Sequence, residues 1–313
     1  MYVEAAIGDS FGCGVEARPE EEVQKHLQEM IYRSHPKWTE MTPGKYSDDT
    51  QMAIALGEYA LSGKPLTLLN WASAVVDTFN RDPRPGYSAG FYSILRASKT
   101  GVDLLELVEP HSRKNGGAMR AWPLGLLADP LLVIDRAMFQ AALTHATQDG
   151  QLAAAASALM THYFYHDVGP KADVGLWIAR TLGSPVAWLS GLWTGRVGFD
   201  NGKDTIAAAV TVVQMKASMT DILKMSVGFG GDTDTTATIA MAAASFSKEV
   251  AQDLPRALYD GLEDEAYGLH YLERLDLALR RGFPTTGVNS LPPEPVGVET
   301  EDGILDLFVS PGR

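Results

Sequence analysis

The chain has 313 residues, 45% of them hydrophobic, and a formal net charge of −13; that is room for one large domain or two ordinary ones. The acidity argues against nucleic acid or an anionic membrane as a partner. No apolar run approaches the roughly 18 residues of a membrane-spanning helix, no secretory leader is visible, and Cys13, the single cysteine, excludes an intrachain disulfide and makes the reducing cytoplasm the expected compartment.

The first informative stretch is "IGDSFGCGVE", Ile7 to Glu16. Its glycines, Gly8, Gly12 and Gly14, suit either close helix contact or tight turns; Asp9 reads as a cap, and Glu16 on this segment alone as a surface residue. "PEEEVQKHLQEMIYR" follows, with Val23, Leu27 and Ile31 on one helical face. "KYSDDTQMAIAL" then sets Ser47, Asp48, Asp49 and Thr50 before an apolar helix, and Asp48 with Gln51 resembles a capping box. Helical spacing continues in "PLTLLNWASAVVDTF", "DRAMFQAALTHA", "GQLAAAASALMTHYFYH", "DTIAAAVTVVQMKASM" and "EAYGLHYLERLDLALRR". Gly and Pro interrupt these runs at "RDPRPGY", "HSRKNGGA" and "TLGSPV". About a dozen helices and no convincing strand set predict an all-α, compact multi-helix bundle over residues 1–283. Residues 284–313 are rich in Pro, Gly and acid and read as a C-terminal tail packing on the surface, with "ILDLFV" as its docking end.

The stretch "GGDTDTT", Gly230 to Thr236, carries the chemistry. An N-cap at Asp232 or Thr233 explains one side chain. It does not explain why Asp232, Asp234 and Thr235 crowd one turn, since close carboxylates repel unless a cation or strong donor lies between them. The Ser47–Thr50 turn poses the same question. Neighbouring carboxylates and hydroxyls are hard oxygen ligands, suited to Mg²⁺, Mn²⁺ or Ca²⁺ rather than zinc or copper. Four carboxylates balance two divalent ions, which about 3.5–4 Å apart would clamp adjacent oxygens of a substrate.

Taken together these segments resemble the ADP-ribosylglycohydrolases. The shared pattern comprises Gly8–Asp9 with Glu16 seven residues after the aspartate, Ser47–Asp48–Asp49–Thr50, "NGGAMR" at Asn115 to Arg120, "LTHA" at Leu143 to Ala146, and Gly230 to Thr235, all in the family's order. The resemblance spans roughly residues 4 to 245. It implies a compact all-α fold and hydrolysis of the bond joining C1″ of an ADP-ribose to an acceptor, with two Mg²⁺ or Mn²⁺ ions. By residue matching, Ser47, Asp48, Asp49, Asp232, Asp234 and Thr235 would be metal ligands, and Glu16, with Asp49 and Asp234, catalytic. Glu16 matches a glutamate placed to orient water and accept its proton. Gly86, Tyr87, Ser88 and Gly90 of "PGYSAGF", together with Ser112, Asn115, Gly116 and His145, would bind substrate; Met119 and Trp122 read as packing.

Departures from the family pattern bear on the acceptor. The arginine-linkage bacterial enzyme has an aspartate before the glycine matching Gly90; here Ser88 and Ala89 stand there. "GYSAG" and "NGGAMR" are closer to the vertebrate enzyme that cleaves serine-linked and O-acetyl ADP-ribose. That enzyme has an aromatic–glycine pair where this chain has Arg113 and Lys114, cations able to pair with a diphosphate. "AAASFSKEV" replaces the usual small-residue repeat after the late turn. The acceptor linkage, the metal and the oligomeric state stay open; the expected partner is an ADP-ribose-bearing protein or small molecule, with no membrane and no nucleic acid. A catalytically inactive ADP-ribose-binding or structural member is the alternative. "YHDVG" offers His166–Asp167 for a metal phosphohydrolase but leaves both acidic turns unexplained. An isoprenoid synthase Asp-Asp-x-x-Asp fails at Met52.

Overall fold

The computed structural model describes residues 1–183, 187–189 and 191–282, and it is all-α as the periodicity predicts. The helices run α1 Tyr2–Cys13, α2 Glu20–Glu29, α3 Asp48–Leu61, α4 Leu68–Arg81, α5 Ala89–Ala97, α6 Gly101–Leu107 and α7 Pro130–Ala142. They continue as α8 Gln148–Tyr165, α9 Val174–Thr181, α10 Gly202–Met215, α11 Met219–Gly228, α12 Thr233–Ala244, α13 Arg256–Asp260 and α14 Leu269–Gly282. Many start on a side chain that accepts a hydrogen bond from the first turn, including Ser47, Thr67, Asp129, Thr147 and Ser218. Such caps satisfy N–H groups that the helix itself leaves free. Among the described residues β pairing is limited to isolated bridges, such as Val197 to Gly231.

Amphipathicity separates inner from outer helices. In α4 only one face, Trp71, Ala72, Val75, Val76 and Phe79, is apolar and buried. α8 and α12 are apolar or small all round, and nearly every residue of both is buried; a helix of that kind belongs in the middle. α1 lies beside α12 and buries Tyr2, Ile7 and Phe11 completely. Trp122, in a 3₁₀ turn, meets the Tyr2 ring edge-on at 4.6 Å.

The α1–α12 contact depends on glycine. A Cβ at Gly8 would lie 2.8 Å from the carbonyl carbon of Ala237, and one at Gly12 would lie 2.5 Å from Cα of Asp234. The helices therefore touch backbone to backbone, and the Thr233 hydroxyl donates to Gly12 O at 2.8 Å. Both uses offered by the glycine spacing are observed, close helix contact at Gly8 and Gly12 and a turn at Gly14.

Several local expectations are corrected. Asp9 lies inside α1 and is not a cap. α2 stops at Glu29 because Met30 turns left-handed, with φ of 50°, so Ile31 leaves the predicted face and is 54% exposed. That turn sends Tyr32 inward, where its hydroxyl donates to Leu258 O. No Asp48–Gln51 capping box forms. Ser47 is the N-cap, accepting from Asp49 N at 3.2 Å, while Gln51 reaches the carbonyl of Asp82 and accepts from the Tyr87 hydroxyl. Leu143–Ala146 lies beyond the end of α7. The expected tail, 284–313, lies outside the described residues. No helix of the described residues is long and apolar enough to cross a membrane.

Candidate active site

Three helices deliver five carboxylates to one buried place. α3 starts with Asp48 and Asp49, α12 follows Asp232 and carries Asp234, and α1 passes beneath both with Asp9; all five are buried. Asp9 ties the turns together. Its Oδ1 accepts from Ser47 N at 3.0 Å, and its Oδ2 accepts from Thr50 N at 3.0 Å and from the Thr50 hydroxyl at 2.7 Å. The Cys13 thiol lies 3.3 Å from Asp9 Oδ1 and 3.4 Å from Asp234 Oδ2.

On the α12 side, Asp232 stands at the N-cap position, yet its side chain caps nothing. Its Oδ2 accepts from Asn115 Nδ2 at 2.6 Å instead. The capping explanation therefore fails for this residue. Thr235 Oγ1 sits 3.4 Å from Asp49 Oδ1 and links the two acidic turns, while Asp49 Oδ2 is buried with no hydrogen-bond partner.

Electrostatics make the cluster costly as it stands. Burial first, then neighbouring acids, pushes Asp48, Asp49 and Asp234 well above the ordinary carboxylate range. Burial also raises Asp232, against donors that include Asn115, and raises Asp9, against its bonds from Thr50 and Ser47. Among the described residues no Lys or Arg hydrogen-bonds any of the five. An orphaned carboxylate oxygen among hard oxygen donors with no basic partner fits a divalent cation. The ligand atoms of Asp9, Cys13 and Asp234 also lie within 4.8 Å of one another. That trio is the poorer site for a hard cation, because Asp9 is taken up by backbone donors and the Cys13 sulfur is a soft ligand.

Outside contacts hold the turns in place. The Arg84 guanidinium donates to Tyr46 O at 3.0 Å, packs 3.6 Å from the centre of the Tyr46 ring and pairs with buried Glu263. Glu263 in turn accepts from Tyr46 N at 3.2 Å. Gly86, at φ +117°, passes so close that a Cβ there would strike the Asp48 carboxylate. Glu16 follows α1 in a turn where Ala17, at φ 58°, donates its N–H to Gly231 O at 3.0 Å. The Glu16 side chain is one-quarter exposed, its charge contributes to raising Asp48, Asp232 and Asp234, and Oε2 lies 2.6 Å from His35 Nε2.

The residues matched to substrate binding fall into three groups. Gly86 is half-buried beside Asp48, and Ser88 and Gly90 are exposed at the start of α5, but Tyr87 turns into the core with its hydroxyl on Gln51. Ser112 and Gly116 are half-buried around buried Asn115. His145 packs against Gly116 and belongs to a chain of donors. Arg120 Nη2 donates to Thr144 Oγ1 at 2.9 Å, and the Thr144 hydroxyl shares a hydrogen bond with His145 Nδ1 at 2.7 Å. Burial, then the charges of Arg120 and Lys114, lowers His145 to about 3, so the ring is neutral at physiological pH.

Asp9, Cys13, His35, Arg120 and Thr144 support the site without having been given a role in it from the sequence; Asp9, Arg120 and Thr144 lay inside the family pattern, Cys13 inside the Ile7–Glu16 stretch, and His35 outside them all. His166 and Asp167 are committed elsewhere, to Leu127 O and to Lys248.

Residues 4–286 match the family model described as ADP-ribosylglycohydrolase. The chain is 28% identical over 176 residues to the ADP-ribosylhydrolase ARH3 of Bos taurus, covering 50% of this chain and 47% of that protein. It is likewise 28% identical over 171 residues to human ADP-ribosylhydrolase ARH3, again over 47% of the relative; each match thus spans about half the length of the relative. A solved structure described as an "ADP-ribosylglycohydrolase-related protein complex" superposes with a TM-score of 0.69 over 90% of this chain and 96% of its own, at 20% identity, a likeness of fold.

Proposed function

Because the chain belongs to the ADP-ribosylglycohydrolase family, we propose that it hydrolyses the bond between C1″ of an ADP-ribose and its acceptor, using two divalent cations, Mg²⁺ or Mn²⁺. The observation that carries this reading is the convergence of both acidic turns on one buried cluster that no Lys or Arg among the described residues hydrogen-bonds. Ser47, Asp48, Asp49, Asp232, Asp234 and Thr235 are the proposed ligands. Bound there, the cations would supply positive charge against the oxygens of the distal ribose and of a water.

The chain's own groups do the rest. Glu16, at the partly exposed edge of the pocket, accepts a proton from the attacking water. Asp49 and Asp234 hold the pocket's charge, and Asn115 fixes the orientation of Asp232. The neutral ring of His145 offers a hydrogen-bonding group beside Gly116. Gly86 and Gly90 let backbone approach a diphosphate where a larger residue at 86 is forbidden. Arg113 and Lys114 are exposed next to Asn115 and offer cations to the phosphates. The acceptor is a protein side chain or an O-acyl group.

The test is ADP-ribose release from arginine-linked, serine-linked and O-acetyl substrates with Mg²⁺, Mn²⁺ or chelator. Chelation should abolish release and added metal restore it, and Asp234→Ala should lower the rate at least about 100-fold. Release that survives chelator, or an unchanged rate in Asp234→Ala, rejects the metal-dependent reading. Tight ADP-ribose binding without turnover on any of the three substrates favours a binding role.

A further inference from the structure

We infer that His35 is the positioning residue for Glu16, an assignment that rests on the proton-accepting role proposed for that glutamate. His35 lies on the segment between α2 and α3, ahead of the Ser47–Thr50 turn and outside every motif read from the sequence. The ring is buried, at 6% exposure, and is held from behind by its own loop. His35 N donates to Met41 O at 3.1 Å and Met41 N to Trp38 O at 3.0 Å. Inside that closed loop the N–H groups of Lys37 and Trp38 both point at Nδ1, at 3.0 and 3.1 Å.

Two donors on Nδ1 leave the ring proton on Nε2, the atom 2.6 Å from Glu16 Oε2. The loop thus sets the tautomer and the tautomer sets the direction of the bond. Glu16 needs such a tether. It has three rotatable bonds, immediately precedes the left-handed residue Ala17 and is one-quarter exposed. Among the described residues, His35 is its one side-chain hydrogen-bond partner. The bond fixes one carboxylate oxygen and leaves the other for a water. A neutral imidazole achieves this without setting a positive charge against the acid pocket, as Arg or Lys would.

The experiment uses the full chain with Mn²⁺ and whichever of arginine-linked, serine-linked or O-acetyl ADP-ribose it turns over, comparing His35→Phe, His35→Gln, Glu16→Gln and the double variant His35→Phe/Glu16→Gln. His35→Phe should lower kcat about 10–100-fold, the range of an outer partner that orients an active group. KM, ADP-ribose affinity and Mn²⁺ affinity should stay within about twofold by the same argument. His35→Gln, which can offer a donor near the old Nε2, should recover most of the loss. The double variant should be no slower than Glu16→Gln alone. Nitrogen-15 spectra of the wild-type imidazole should show Nε2 protonated and Nδ1 bare. An unchanged kcat in His35→Phe overturns the inference, as do parallel losses of Mn²⁺ and ADP-ribose affinity, which mark a merely structural role. A proton on Nδ1 overturns it without any kinetic assay, even if His35→Phe fails to fold. Full activity in Glu16→Gln removes the role of the glutamate itself; an inactive Glu16→Gln beside a fully active His35→Phe removes the His35 assignment alone.

Discussion

Asp9 serves the protein's own backbone rather than a ligand. Its two oxygens satisfy the N–H groups of Ser47 and Thr50 and the Thr50 hydroxyl. Asp9→Ala would orphan those donors, each buried unsatisfied group costing about 1–3 kcal/mol, while relieving one like charge. With Mg²⁺ saturating, denaturant unfolding of Asp9→Ala should show a net loss of at least about 2 kcal/mol, and Mg²⁺ affinity should fall as the α3 turn loosens. Stability and affinity both equal to wild type would contradict this account. The acids of Ser47–Thr50 and Gly230–Thr235 are legible in the sequence because each cluster is contiguous. Asp9 is not, because its partners lie 38 and 41 residues away. A local reading sees only a polar residue near glycines and supplies a cap. His35 is invisible for the same reason, since the turn at Met30 that brings it back to Glu16 follows from packing, not periodicity.

At the scale of elements, the site is a property of how α1, α3 and α12 meet. Gly12→Ala would drive a methyl into the first residues of α12, and such overpacking costs typically about 1–3 kcal/mol. Its melting temperature and Mg²⁺ affinity should fall together, whereas Gly90→Ala, whose Cβ would meet nothing within 4 Å, should leave the melting temperature unchanged. The α3 turn has a second anchor in the Arg84–Glu263 pair, both ends buried. Removing one partner of a buried pair strands the other, at about 3–5 kcal/mol. Glu263→Ala should therefore destabilise strongly and loosen Ser47, detectable as weaker Mg²⁺ binding; a loss under about 1 kcal/mol would refute the anchoring role. The Ala- and Leu-rich runs announced α3, α8 and α10 in the sequence. Helix ends were less legible, because they depend on left-handed residues such as Met30 and on caps whose choice between Ser47 and Asp48 is settled by tertiary partners.

For the whole molecule, five buried acids inside a chain of net charge −13 make stability depend on pH and on divalent ions together. The folded-state values of Asp48, Asp49 and Asp234 are raised. Their contribution to the metal-free fold is therefore full below the ordinary carboxylate value of about 4 and is lost as pH rises through the raised values. Cations compete with those protons, so binding strengthens as pH rises. The increment in melting temperature on adding Mg²⁺ should grow from pH 5 to pH 8, and an increment independent of pH would contradict the buried-acid description.

α1 and α3 leave the ribosome long before Thr233 does, so a nascent chain has its N-terminal acids in place with no α12 to meet them. The bare Gly8–Gly12 face must then wait for late-synthesised sequence, and the crowding of carboxylates is completed only when α12 docks. Refolding in Mg²⁺ should consequently speed that closing step and slow its reversal, making the ion a participant in assembly before it has any substrate to act upon.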